Sequence, residues 1–217
     1  GTSAALGLAQ KGAKVLLRER GEYPGAKNMF GGMMVYCPAA EQLVPGFWER
    51  APWERAVTKR VLTMMGEGSS TSLAFQAASG SDKSSVGAGS TSDRTLTAFT
   101  LFRPHFDRWF AGQAVAQGVT LLSGCRVEGL LMRDGAVRGV RVAGEGDVVE
   151  APLVITCDGT LSLLAKEAGL HEGFTAGQVA LGVRALYEST EEQVNERFGL
   201  SGREGATQEF LGCTEGV

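Results

Sequence analysis

Two short stretches place residue types where a diphosphate-bearing ligand could be held. The first reads Gly1, three residues, Ala5, six residues, Gly12, two residues, Val15, three residues, Glu19. This is the downstream half of a dinucleotide-binding βαβ fingerprint whose GxGxxG would end at Gly1. A glycine opening a helix lets the helix approach its strand, and the small Ala5 keeps that approach one turn later. The free N–H groups and the positive dipole end of such a helix face a pyrophosphate. Glu19, ending the following strand, would accept hydrogen bonds from ribose hydroxyls, and its charge disfavours a ribose 2′-phosphate. The alternative is plain packing, with Glu19 a solvated strand end.

The second stretch is Val154-Ile155-Thr156-Cys157-Asp158-Gly159-Thr160-Leu161-Ser162. A buried strand there delivers an aspartate and a glycine to a sharp turn that opens a helix, where a pyrophosphate and a ribityl chain would lie. Capping explains much of the same sequence, because Asp158 or Thr160 could serve the helix N-terminus.

The elements that must position these residues alternate along the chain. Residues 2–11 predict a helix stopped at Gly12, and residues 14–19 a short buried strand. Residues 20–52, rich in Gly and Pro, predict a long ordered loop with short helical pieces. Residues 57–65, 71–76 and 96–102 predict strands of an antiparallel sheet. Between the last two, residues 77–95 hold six Ser, three Gly and two Thr, and predict a low-complexity mobile surface loop. Phe106, Trp109, Phe110, Ala114 and Val115 recur at helical spacing up to Gly118. Residues 119–122 predict a strand, and residues 125–132 and 136–142 a hairpin around Arg133-Asp134-Gly135. Residues 153–157 then predict a continuous apolar strand, 162–168 a helix, 179–187 a return to a sheet, and 191–198 a last helix.

Composition narrows the class. The 217 residues are 43% hydrophobic, 21% charged and 7% aromatic, as in ordinary globular proteins. At this length roughly 70% of the unfolded chain's surface can be buried, so a core needs no covalent staple. With 21 basic and 24 acidic residues there is no general electrostatic reason to bind nucleic acid. Cys37, Cys125, Cys157 and Cys213 form no CxxC pair and have only His105 and His171 to help them. The expectation is therefore no metal site and four reduced, mostly buried thiols. His105 is read as a packing or surface histidine, and no residue stands out as a general acid or base. No run of about 18 apolar residues marks a membrane span, and residues 1–10 carry no basic head of a signal peptide. Phe47, Trp48 and Trp53 read either as core or as a membrane-touching patch. Because the chain opens on a small-residue helix with no strand before it, it reads as an internal fragment of a longer protein.

A resemblance joins these parts. Glu19-Arg20-Gly21-Glu22-Tyr23-Pro24-Gly25-Ala26-Lys27-Asn28-Met29, followed by Gly31-Gly32, is similar to electron-transfer-flavoprotein:quinone oxidoreductases and their FixC-type relatives. The similarity extends through Pro45-Gly46-Phe47-Trp48, Arg103-Pro104-His105-Phe106-Asp107-Arg108-Trp109, Asp158-Gly159 and Cys213-Thr214-Glu215-Gly216. Two positions depart from the pattern: Phe30 stands where relatives carry a small residue, and Ala165 where monooxygenase-like members carry an arginine.

The resemblance implies an α/β fold: a Rossmann-like FAD-binding domain with an inserted antiparallel β-sheet substrate domain, glutathione-reductase/PHBH-like and truncated. Residues 1–56 and 103–175 would form the FAD-binding domain, and 57–102 and 176–217 the β-rich substrate or partner domain. It further implies one FAD. Gly1 would lie at the pyrophosphate, Glu19 at the adenosine ribose, Arg20 at the adenine end, and Lys27, Asn28, Gly31 and Gly32 along the loop toward the flavin. Arg103 would contact the cofactor, Val127 would meet adenine through its backbone, and Asp158 with Gly159 would flank the pyrophosphate. The implied partners are an electron-transfer flavoprotein and a ferredoxin-like protein or a membrane quinone. The expected location is cytoplasmic, with peripheral contact at the inner face of the membrane as a variant. Two alternatives stay open: a geranylgeranyl-reductase-like enzyme acting on isoprenoid double bonds, and an inactive fragment or interaction module.

Overall fold

In the computed structural model the described residues are 1–76, 98–144 and 147–212. The expected loop at 77–95 and the Cys213-Thr214-Glu215-Gly216 stretch lie outside them. The chain forms two compact units, Gly1–Asn28 with Asp107–Arg184, and Met29–Phe106 with Ala185–Val217.

The first unit opens with α1 (Thr2–Gln10), which buries Ala5 and Leu6. Its end follows from Gly12, whose φ of +82° lets the chain turn away without a Cβ penalty. Next come β1 (Leu16–Arg18) and, after the loop and the second unit's residues, α4 (Arg103–Ala116) and β6 (Thr120–Leu122). The division between units falls inside α4. Strands β1 and β6 pair in parallel, Leu16 opposite Thr120 through Arg18 opposite Leu122. Since β6 is the partner of β1 among the described residues, β1 is half-exposed where a buried strand is expected.

A three-stranded antiparallel sheet follows: β7 (Val127–Arg133), β8 (Ala136–Val142) and β9 (Val148–Glu150). The β7–β8 turn is the expected Asp-Gly turn, with both Asp134 and Gly135 at positive φ. Helix α5 (Leu163–Glu167) is tied to β7, because the Glu167 carboxylate accepts the Leu130 N–H at 3.0 Å and the Arg141 guanidinium at 3.1 Å.

Two expected strands are absent. Residues 153–157 and 179–187 carry no ladder among the described residues, and Leu153, Leu181 and Val183 are 66%, 95% and 89% exposed. An apolar run becomes a strand only where a neighbour completes its backbone hydrogen bonds.

In the second unit β2 (Gly31–Val35), β3 (Trp53–Met65), β4 (Ser70–Gln76), β5 (Ala98–Phe102) and β10 (Glu204–Leu211) form one sheet, with β4 and β5 both paired to β3. The expected antiparallel sheet is mixed, because β10 runs parallel to β3. Strand β2 lies within the stretch expected to be loop and is held there by antiparallel pairing with β5. For that reason residues 29–56 group with the sheet, a different division from the expected boundary at residue 56. Helices α2 (Pro38–Leu43), α3 (Phe47–Arg50) and α6 (Glu191–Phe198) complete the unit. Phe47 and Trp48 are buried beside Phe99 and Phe106, so these aromatics are core and not a surface patch. A chain this aromatic locally gains its packing from offset and edge-to-face rings.

Candidate functional site

The geometry of the first unit brings the two diphosphate-suited stretches together. Gly1 caps α1 with no side chain, and a Cβ built there falls 3.5 Å from the Cys157 Cβ and 3.6 Å from Leu17 Cδ1. Helix α1 therefore begins against the residue that precedes Asp158 and Gly159. The first-turn amides of a helix have no intrahelical acceptors, and at α1 no side chain supplies one. An adjacent methyl would meet only ordinary contacts, so protein packing does not demand a glycine at Gly1.

Glu19 ends β1 and is locked there by backbone bonds from its N–H to Leu122 O and from the Cys125 N–H to its own carbonyl, both 2.9 Å. Its carboxylate Oε1 accepts the Gly21 N–H at 2.5 Å, which turns it back over the following loop. One carboxylate oxygen thus fixes the orientation of the side chain. Arg20 and Lys27 are exposed, and neither forms an ion pair with a described residue. Asn28 is tethered: its Nδ2 donates to Asp107 Oδ2 at 3.1 Å, which holds the end of the loop to α4. Arg108 adds a second tie, its guanidinium lying 3.9 Å from the centre of the Tyr23 ring. Val127 opens β7 opposite Val142 and is half-buried.

Asp158 does act as a cap. Its Oδ2 accepts the Leu164 N–H at 2.9 Å, six residues on, and so fixes the start of α5. Gly159 has φ +77°, and its carbonyl receives the Ser162 hydroxyl and N–H at 2.9 and 3.1 Å. Both residues are exposed. Cys157, in contact with Gly1, went unrecognised in the sequence; it could have been found only as the residue entering the Asp-Gly turn. The thiols differ from expectation too: Cys37 and Cys157 are exposed and Cys125 is half-buried, its Sγ contacted by the Arg18 guanidinium.

Gly31, Gly32 and Arg103 belong to the second unit. Gly31 and Gly32 start β2 opposite Phe102 and Leu101. Arg103 donates its backbone N–H to Phe30 O at 3.0 Å, and its guanidinium lies 5.8 Å from the Phe30 ring centre. The unusual Phe30 is thus accommodated as a face for Arg103. His105 is exposed, with Nδ1 3.6 Å from Glu54 Oε1 and its ring edge-on to Phe102. No cluster of metal-ligating side chains and no helix long and apolar enough to cross a membrane occurs among the described residues.

Comparison with known proteins fits this geometry. The tryptophan halogenase family model matches residues 45–196. Protein FixC of Salmonella typhi is 38% identical over the whole chain, and "Probable electron transfer flavoprotein-quinone oxidoreductase YdiS" of Escherichia coli is 35% identical over 98% of it. The chain spans about half the length of these curated relatives, 48% and 46% respectively. Among solved structures, a geranylgeranyl bacteriochlorophyll reductase-like protein from Thermoplasma acidophilum aligns with TM-score 0.61 at 20% identity, over 81% of this chain and 41% of that one. A myxobacterial chondrochloren halogenase, a variant of FAD-dependent halogenases, aligns with TM-score 0.54 at 18% identity, over 77% and 36%. These likenesses show a Rossmann-type flavoprotein fold. The chain belongs to the family that the tryptophan halogenase model describes, and over its whole length it is similar to Protein FixC.

Proposed function

We propose that this chain binds the adenosine diphosphate portion of FAD in an oxidoreductase that carries electrons from an electron-transfer flavoprotein to a quinone or a ferredoxin-like partner. One observation carries the reading: an uncapped helix N-terminus at Gly1 meets the extended segment at Cys157, next to the Asp158-Gly159 turn, in a chain 38% identical to FixC. The residues fit the group, since the start of α1 offers unpaired amides and no side chain closes them off. In this reading the α1 amides and the Gly159 N–H hold the diphosphate. Glu19 accepts the ribose hydroxyls, and the backbone of Val127 meets adenine.

The loop carrying Arg20, Lys27 and Asn28 lies over the cofactor, fixed by the Asn28–Asp107 bond. Gly31, Gly32 and Arg103 are assigned to the flavin side. When bound, FAD supplies the electron chemistry; the protein binds it, orients it and tunes its surroundings. Isoprenoid reduction draws only on a fold neighbour at 20% identity, which speaks for architecture and not for substrate.

The test uses the complete protein that contains this chain. It should purify with FAD, and reduced electron-transfer flavoprotein should reduce that FAD faster than any prenylated substrate oxidises it. Turnover of the prenylated substrate alone would overturn the electron-transfer reading. Absence of bound FAD would leave an interaction module in its place.

A further inference from the structure

Within the second unit three oxidisable rings stand in line. The Tyr36 and Trp48 rings have centroids 4.9 Å apart, and Trp48 stacks on Trp53 at 5.3 Å with only 12° between the planes. Trp48 is buried, while Tyr36 and Trp53 are half-buried. The flanking rings, Phe99 and Phe106, stack on Trp53 at 5.1 and 5.6 Å and are far harder to oxidise. Protonation adds direction. The Trp48 indole N–H is buried with no acceptor, whereas the Trp53 indole N–H donates to Trp48 O at 2.9 Å. A radical cation on Trp48 has nowhere to release its proton, so it cannot be trapped there as the neutral radical. A carbonyl is too weak a base to trap it at Trp53. Tyr36 is half-buried, and a phenol, unlike an indole, loses its proton as it is oxidised.

We propose that Trp53, Trp48 and Tyr36 form a relay that carries a one-electron oxidising equivalent out of the aromatic core and delivers it to Tyr36. A one-electron oxidant takes an electron from Trp53, leaving the indole radical cation. Trp48 refills Trp53, Tyr36 refills Trp48, and the phenol proton passes to water. The net change is one electron to the oxidant, one proton to solvent and a tyrosyl radical at Tyr36, which a soluble reductant such as ascorbate then returns to tyrosine. The relay protects the buried core during one-electron chemistry and does not depend on the FAD assignment.

The test is flash photolysis of the whole chain with an external ruthenium(III) tris-bipyridine oxidant, in a Trp109→Phe background that removes the remaining indole. The indole radical should decay as a tyrosyl radical rises. In Tyr36→Phe the indole radical should live several-fold longer and most of the tyrosyl signal should be lost. Trp48→Phe, which keeps a ring in the stack, should leave Trp53 unable to pass its radical to Tyr36. Circular dichroism checks that each variant keeps its fold. Unchanged indole lifetime and tyrosyl yield in either variant would overturn the relay.

Discussion

A Cβ placed on Gly1 lies 3.5 Å from the Cβ of Cys157, so the helix that opens the chain starts beside a segment more than 150 residues later. That juxtaposition separates a packing role for Gly1 from a ligand role. Gly1→Ser adds a Cβ that fits and a hydroxyl that can cap α1. Stability should therefore rise by about a few tenths of a kcal/mol. The same hydroxyl occupies the amides assigned to the diphosphate, so FAD affinity should fall about tenfold, or about 1.4 kcal/mol. Urea denaturation and FAD titration on one preparation check the opposite signs.

Asp158 is bound to the backbone of α5 through Leu164. Asp158→Ala should cost about 1 kcal/mol through loss of the cap, and Asp158→Asn, which keeps an acceptor, only part of that. Amide exchange at Leu164 reads the effect directly: protection should drop in the alanine variant and largely survive in the asparagine variant.

Gly139 is a glycine the fold does require. Its φ is +152°, and a Cβ there would fall 2.1 Å from Val149 O, inside the β8–β9 ladder. Gly139→Ala should destabilise by roughly 3 kcal/mol or more. Gly135→Ala, in open space with φ +71°, should cost only about 1 kcal/mol. Thermal unfolding of the two variants measures the contrast.

Glu192 sits in the first turn of α6, where its own backbone N–H and the Thr190 hydroxyl favour the charged carboxylate and hold its pKa below the ordinary value. A depressed folded-state pKa contributes stability above the ordinary carboxylate pKa and loses it as pH falls through the folded value. Glu192→Gln should therefore flatten the acid limb of α6 melting by lowering stability near neutrality and leaving it unchanged at low pH. A carboxyl titration by NMR should show Glu192 titrating below the other exposed glutamates.

Local signals were readable in the sequence and non-local ones were not. The helix at Glu191–Phe198 follows from the Thr190 and Gln193 capping box and from Gly199 at φ +62°, all within a dozen residues. The β7–β8 hairpin follows from Asp134-Gly135 in the same way. Strand β2 could not be read, because Gly31–Val35 becomes a strand only by pairing with β5 some 65 residues on. The opposite failure occurs at residues 153–157 and 179–187, whose apolar patterns lack a described partner strand. At the candidate site the residue types were legible, but their internal commitments were not. Asp158 is engaged by α5, Asn28 by Asp107 and Glu19 by Gly21, and each bond depends on a turn geometry that spacing alone leaves open.

The most direct measurement is the structure of the complete, FAD-loaded protein, read at the diphosphate. The α1 amides should donate to its oxygens, with Cys157 and Gly159 alongside and Glu19 at the ribose. A diphosphate held elsewhere, with the start of α1 facing bulk water, would contradict the assignment.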